Sequence, residues 1–419
     1  YFANWAQYHV SPYTHTPESL APIVGRLDTI IYSFIYFCPP SGTSPMPYWA
    51  QPPYGSCTDS EEYTLLSVEA KDAQFIPAIV AYKQQNPNLK VVASIGGWNF
   101  PSGYWSTLVS SADNRAKFVA SVKQWASQYS LDGVDIDWEY PCSPARDDPV
   151  KITCAVFRHV ADAGGKCPDD TNNFPLLLSD LRTAMGDDFI ISVASQAAPK
   201  NWAAMNIAKA AQYVTYFHVM SYDYTVSDIA DSPVTAPNAP LFNPPSPAVQ
   251  WSVNTTVQGY LAAGVPKEKI LIGIPYYGHT WYAPGLSGDE WKAFNLPTKS
   301  QGECCGPFAS TMGAKPGQGC SLCGTYMYSE ILAAQPTTFY DNTTQTMIGY
   351  WENIGADSYT EAGTWVSYND PTAVKATVAY AEAQGVGGVF VFDTSEDTVS
   401  ASGTWTFELT NTIADAMGG

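Results

Sequence analysis

Charge is scarce in this sequence, and positive charge is scarcest. Only 14% of the 419 residues are charged; 20 Lys and Arg stand against 39 Asp and Glu, leaving a net charge of −19. So acidic a surface repels phosphate backbones, and nucleic acid is not expected as a partner. No apolar run reaches the ~18 residues of a membrane span, so no membrane partner is expected either. There is no Ser/Thr/Pro linker and no appended repeat module. There is no initiator Met and no signal peptide; the chain opens at Tyr1 directly in an apolar stretch, as a processed or trimmed protein would. The five His (His9, His15, His159, His218 and His279) show no paired metal spacing and read as structural.

Apolar material is plentiful. Apolar residues make up 45% of the chain, which excludes the disorder signature and supplies a large core. Length alone suggests two or three domains, yet a single α/β barrel with insertions also reaches this size. The 13 Trp and 27 Tyr suit either a large core or a groove that stacks flat apolar faces.

The nine cysteines (38, 57, 142, 154, 167, 304, 305, 320 and 323) all lie in loop-like sequence. Loop cysteines read as disulfides of an oxidising compartment, so secretion is expected. Asn-x-Thr sequons at Asn254 and Asn342 agree with that. Zinc held by Cys304, Cys305, Cys320 and Cys323 is the rival reading; adjacent cysteines are awkward ligands and no His lies nearby. Cys38 with Cys57 would close one loop. The pairing among Cys142, Cys154 and Cys167 stays open, and an odd total leaves one thiol over.

Short runs rich in β-branched and aromatic residues recur at Tyr1–Trp5, Thr29–Phe37, Lys90–Gly97, Gly133–Tyr140, Phe189–Ala197, Val214–Tyr224, Ile270–Tyr277 and Gly388–Phe392. Several are apolar almost throughout, as parallel strands buried on both faces are. Helical patterns lie between them. Ala116, Val119, Val122, Trp125, Ala126 and Tyr129 repeat at helical spacing, and Asp370-Pro371 starts a helix that Gly385 ends. Eight strands alternating with helices predict an α/β fold, a (β/α)₈ TIM barrel. A doubly wound open sheet is the alternative, and no G-x-G-x-x-G follows the first strand to favour it. Cys38–Tyr63 reads as a long loop. Residues 282–347 are too long for one helix and predict an inserted α+β subdomain between strands seven and eight, with the barrel formed by 1–281 and 348–419.

The fourth strand carries the chemistry. It reads Leu131-Asp132-Gly133-Val134-Asp135-Ile136-Asp137-Trp138-Glu139-Tyr140-Pro141. Alternation puts Asp135, Asp137 and Glu139 on one face, starting ~6.6 Å apart along the backbone. Val134, Ile136 and Trp138 face the covering helices. Three carboxylates aimed into a barrel are costly without cationic partners, and this chain has few cations. Metal binding is the rival reading, but hard-cation sites usually draw on loop carbonyls and irregular spacing. Crowded like charges raise a pKa, so the cluster reads as a site for acid catalysis. Glu139, the most C-terminal, would sit nearest the barrel mouth.

This Asp-x-x-Asp-x-Asp-x-Glu strand resembles the signature of glycoside hydrolase family 18, the chitinases and their relatives. Tyr1-Phe2-Ala3-Asn4-Trp5, Ser94-Ile95-Gly96-Gly97-Trp98, Met220-Ser221-Tyr222-Asp223 and Gly273-Ile274-Pro275-Tyr276-Tyr277-Gly278 resemble its first, third, sixth and seventh strands, in order. The long insertion is similar to that of the deep-cleft subgroup. The resemblance implies Glu139 as the acid on the glycosidic oxygen and Asp137 as the holder of the substrate's 2-acetamido group. It places Asp135 behind Asp137 to tune its charge, has Tyr222 bonding the same acetamido group, and puts Asp223 on the sugar beside the scissile bond. It implies no enzyme nucleophile, because the acetamido oxygen attacks the anomeric carbon. Trp98 would be a sugar platform, Met220 would line the site, and Tyr277 the cleft. Two positions depart from the pattern: Phe392 stands where the family has Trp, and His279 where it often has Arg. Phe keeps a stacking face but loses area and an N–H donor.

The resemblance therefore implies a secreted, monomeric chitinase that acts on chitin or chito-oligosaccharides by a retaining mechanism, without cofactor or metal. A chitin-binding lectin on the same barrel is one alternative; members of that kind typically lack the catalytic Glu. An endo-β-N-acetylglucosaminidase acting on N-glycans is the other, usually with a shallower cleft. Trp5, Trp202, Trp281 and Trp351 fit groove or core equally.

Overall fold

In the computed structural model, the described residues are all but 45, 52–54, 145–163, 227–233, 246–249, 300–308, 311–321, 357–359 and 419. Cys154, His159, Cys304, Cys305 and Cys320 lie outside them.

All eight expected strands form. They are β1 (Phe2–Ala3), β2 (Thr29–Phe37), β3 (Lys90–Gly96), β4 (Gly133–Asp137), β5 (Ile190–Gln196), β6 (Tyr216–Met220), β7 (Ile270–Pro275) and β8 (Gly388–Phe392). Each pairs in parallel with the next. The seam between β8 and β1 is closed by single bonds: the Tyr1 nitrogen donates to Val391 O at 2.9 Å, and Thr394 N–H donates to Tyr1 O at 3.1 Å. The fold is a (β/α)₈ barrel. Its first strand is shorter than the apolar run suggested, because Asn4–Tyr8 coils into a 3₁₀ turn.

The strands are buried on both faces, so apolar content outweighs alternation, and helices cover the outside. The helix Ala112–Tyr129 starts at Ser111, whose hydroxyl accepts Asn114 N–H. Its buried stripe is Arg115, Phe118, Val119, Val122 and Ala126, so Ala116 faces solvent rather than the core. The helix Pro371–Gln384 is capped by Asp370 and ended by Gly385 at φ +65°, as expected. On the outer side of β4, Trp138 stacks against Trp105 and meets Phe174 edge-on.

Between β7 and β8 lies an antiparallel five-stranded sheet. Its order is Thr325–Met327, Tyr277–Tyr282, Thr364–Tyr368, Thr346–Tyr350, Thr337–Asp341. This sheet takes in strands on either side of 282–347: Tyr277–Tyr282 leaves β7 after one residue and becomes its second strand. Trp281 and Trp351 are buried in this subdomain, packed with Trp365 and Tyr326 respectively. Trp202 packs edge-on against Tyr260 beneath an outer helix. These three Trp belong to packing, not to a groove.

Cys38 bonds Cys57, closing the loop after β2, and Cys142 bonds Cys167. No helix among the described residues is long and apolar enough to cross a membrane.

Candidate active site

Asp135, Asp137 and Glu139 leave β4 towards the C-terminal mouth, with exposure rising in that order. Asp135 is fully buried, Asp137 nearly so, and Glu139 half-buried. Each sits in a different environment.

Asp135 is surrounded by donors. Its Oδ2 accepts the Tyr1 hydroxyl at 2.9 Å and Ser94 Oγ at 2.8 Å; its Oδ1 accepts Ser192 Oγ at 2.7 Å and lies 3.1 Å from His218 Nδ1. Burial pushes its pKa up, but the hydrogen bond and charge of His218, with the two serines, outweigh burial and leave it below the usual carboxylate value. Asp135 is therefore held ionised.

Asp137 has no such donors. Its Oδ1 has no hydrogen-bond partner among the described residues. Burial first, then the charges of Glu139 and Asp135, hold its pKa well above normal, and its carboxyl contacts that of Glu139. The Asp137–Glu139 pair thus keeps a proton to higher pH than an isolated carboxylate would. The Tyr140 hydroxyl also reaches Glu139. Ser102 braces this end of the strand: its hydroxyl accepts Trp138 Nε1 at 2.6 Å and donates to Tyr140 O at 2.8 Å. Gly96, at φ +112°, is required here, since a Cβ would fall 2.1 Å from Asp137 O.

Tyr222 follows β6. Its phenol is kept neutral by burial and by the charges of Asp223, Asp137, Glu139 and Asp135, so it is a donor across the working range. Its ring lies over Gly273 of β7, where a Cβ would come within 2.7 Å of it. Tyr277 and Phe392 flank the ring, with centroids 6.1 and 6.3 Å away, and Met220 packs in the same cluster. Asp223 Oδ1 accepts the Tyr277 hydroxyl at 2.8 Å and lies 2.7 Å from His279 Nε2. Phe392 faces Tyr1 and Trp5, and Trp5 stacks on Phe34 at 5.6 Å. Trp98 is 53% exposed at the mouth, beside Tyr140. A separate cavity of about 410 Å³, lined by Pro284, Leu286, Tyr350 and Glu352, shares no residue with this cluster.

The structure gathers Asp135, Asp137, Glu139, Tyr222, Met220, Tyr277 and Phe392 around one centre, with Asp223 reached through Tyr277 and Trp98 beside Tyr140. Sequence reasoning missed Tyr1, Ser94, Ser192 and His218 around Asp135. It also read His218 and His279 as merely structural, whereas each contacts a carboxylate of the cluster. Ser94 and Ser192 face inward on strands adjacent to β4, in register with Asp135. Polar residues at inward positions beside an acidic strand were the signal available.

A closed parallel barrel with a graded carboxylate file at its C-terminal mouth is an arrangement suited to acid–base chemistry on a bound substrate. The chain belongs to the glycosyl hydrolases family 18, whose model it matches over residues 1–397. It is 28% identical over 332 residues to Chitinase A1 of Niallia circulans, covering 75% of this chain and 42% of that protein. It is 26% identical over 315 residues to Chitinase 1 of Aphanocladium album, covering 75% and 63%. The chain thus spans less than two thirds of the length of these curated relatives. Among solved structures, the Group IV chitinase of Ostrinia furnacalis, in complex with allosamidin, matches with a TM-score of 0.74 at 26% identity, covering 100% of this chain and 97% of that one. Human YKL-39, described as a pseudo-chitinase with retained chitooligosaccharide binding, shares the fold at a TM-score of 0.75 and 19% identity, covering 100% and 98%.

Proposed function

We propose that the chain is a chitinase, hydrolysing β-1,4 bonds between N-acetylglucosamine units with retention of configuration. The observation that carries this reading is the contrast between Asp135, held ionised, and the Asp137–Glu139 pair, held partly protonated. Glu139, the more exposed of the pair, donates its proton to the glycosidic oxygen as the bond breaks. The substrate's acetamido oxygen attacks the anomeric carbon, forming an oxazolinium ion and releasing the alcohol. Asp137 faces the acetamido N–H and stabilises the developing positive charge, with Asp135 behind it. The Tyr222 hydroxyl donates to the acetamido oxygen and orients it. Water, deprotonated by Glu139, then opens the ring from the opposite side, and two displacements restore the β configuration.

Relatives named chitinases and a chitinase structure at 26% identity support this substrate class. The intact acid, Glu139, just beyond β4 argues against a lectin. Two disulfides support action in an oxidising, extracellular compartment, and the acidic surface argues against nucleic acid as a partner. We read the working form as a monomer.

Chito-oligomers, fully deacetylated chitosan and a high-mannose glycoprotein should be assayed side by side. Only the first should be cleaved, giving β product at early times by NMR. Cleavage of chitosan or an α product would rule out the acetamido nucleophile. Preference for the glycoprotein would favour an endoglycosidase, and binding without cleavage a lectin.

A further inference from the structure

Asn238 follows the Tyr222–Tyr224 turn in the chain, and its side chain is fully buried. Four hydrogen bonds leave it in different directions. Its Oδ1 accepts the backbone N–H of Asp223 at 2.9 Å, and its Nδ2 donates to Tyr277 O at 3.1 Å. Its backbone N–H donates to Ser367 Oγ at 3.1 Å, and its carbonyl accepts Tyr224 N–H at 3.1 Å. One residue thus ties the end of β6 to the strand Tyr277–Tyr282 and to the strand Thr364–Tyr368 of the inserted sheet.

What it holds is unusual backbone. Asp223 sits at φ +56°, a left-handed conformation that costs an L residue free energy and persists only where its surroundings impose it. The Asn238 amide supplies that restraint from the barrel side, while the Tyr277 hydroxyl and His279 hold the Asp223 carboxylate from the inserted sheet. Tyr222 is the residue before Asp223. The Tyr222 ring is seated on Gly273, so relaxation of the turn towards ordinary φ would shift the backbone that carries it.

We propose that Asn238 is a positioning residue: it locks the Tyr222–Asp223 turn and so places the Tyr222 hydroxyl opposite the Asp137–Glu139 pair. The proposal rests on the hydrolase reading above. It makes the inserted sheet part of the catalytic geometry, because Ser367 and Tyr277 anchor the clamp.

The test is a double-mutant cycle with Asn238→Ala and Tyr222→Phe, with active enzyme counted by titration with a tight oxazoline-mimicking inhibitor. Displacing a catalytic group by ~1 Å costs on the order of 100-fold, so Asn238→Ala should lower kcat by about 10–100-fold with little change in KM. In the Tyr222→Phe background, where no hydroxyl remains to misplace, the same substitution should cost less than about 3-fold. An equal loss in both backgrounds would mean that Asn238 does not act through Tyr222 and would overturn the proposal. Should Asn238→Ala fold poorly, Asn238→Asp serves instead. It keeps an acceptor for the Asp223 amide and regains a donor to Tyr277 O when protonated. Its turnover relative to wild type should therefore recover as pH falls, and no recovery would also count against the clamp. Were the wild type to bind oligomers without cleaving them, the hydrolase reading alone would fall. The cycle read in Kd would then still decide whether Asn238 places Tyr222.

Discussion

His218 Nδ1 and Asp135 Oδ1 lie 3.1 Å apart inside the barrel, both shielded from solvent. Asp135 owes its lowered pKa mainly to that neighbour, against the opposing effect of burial. A carboxylate of this kind contributes stability above its unfolded pKa of ~3.9, and the contribution is lost as pH falls through the folded value. His218→Leu should raise the Asp135 pKa. The acidic limb of the pH–rate profile should then move to higher pH, and acid unfolding, followed by Trp fluorescence, should begin at higher pH than in wild type. An acidic limb that stays in place would mean that His218 does not set the charge on Asp135.

Glu139→Gln preserves shape but cannot deliver a proton. General acid catalysis is worth about 10²–10⁴-fold, and an alkoxide leaving group needs all of it. Turnover should fall at or beyond the top of that range while calorimetry shows oligomer binding retained. Near wild-type turnover would remove Glu139 from its role.

Asp137→Asn separates activity from stability. Losing the charge that supports the oxazolinium should cost about 10²–10³-fold, less than Glu139→Gln. With one like charge gone, the remaining carboxyl ionises more readily, so the basic limb should move to lower pH. Stability should change in the opposite sense. The raised Asp137 pKa means that wild-type stability declines as pH rises from about 4 through the folded value. Asn carries no such penalty, so the variant should melt above wild type at pH ~8 and close to it at pH ~3. A lower melting temperature at the alkaline end would contradict the origin assigned to the shift.

The disulfide Cys38–Cys57 fastens the loop after β2, far along the chain from the carboxylates. Replacing both cysteines by Ser should cost ~2–4 kcal/mol of stability and leave the pH–rate profile of the surviving enzyme unchanged. Denaturant titration and a rate profile on the same sample check both halves.

Much of this was legible from the sequence, for a physical reason. Parallel strands buried on both faces become apolar runs, and Thr29–Phe37 and Gly388–Phe392 form over the residues those runs mark. Alternation on one strand exposes Asp135, Asp137 and Glu139 together, because that relation is local. The surroundings of Asp135 are not local. Tyr1, Ser94, Ser192 and His218 come from four other strands or strand starts, and only barrel closure sets them around one carboxylate. The contact of His279 was not legible for a related reason. Its partner, Asp223, follows β6, and the two meet only because the chain turns into the inserted sheet immediately after β7.

The inserted sheet also sets a timetable for synthesis. β7 leaves the ribosome with its neighbour β6 already made, but its other partner, β8, lies more than a hundred residues further on. At about 5–20 residues per second, the nascent barrel waits on the order of ten seconds with one edge of β7 unpaired and the β1 edge unmatched. During that interval the inserted sheet is completed, since its strand Thr364–Tyr368 emerges before β8. The strands of the subdomain are therefore all available before the barrel can close, and slowing translation within residues 283–387 would lengthen exposure of those two edges to other chains.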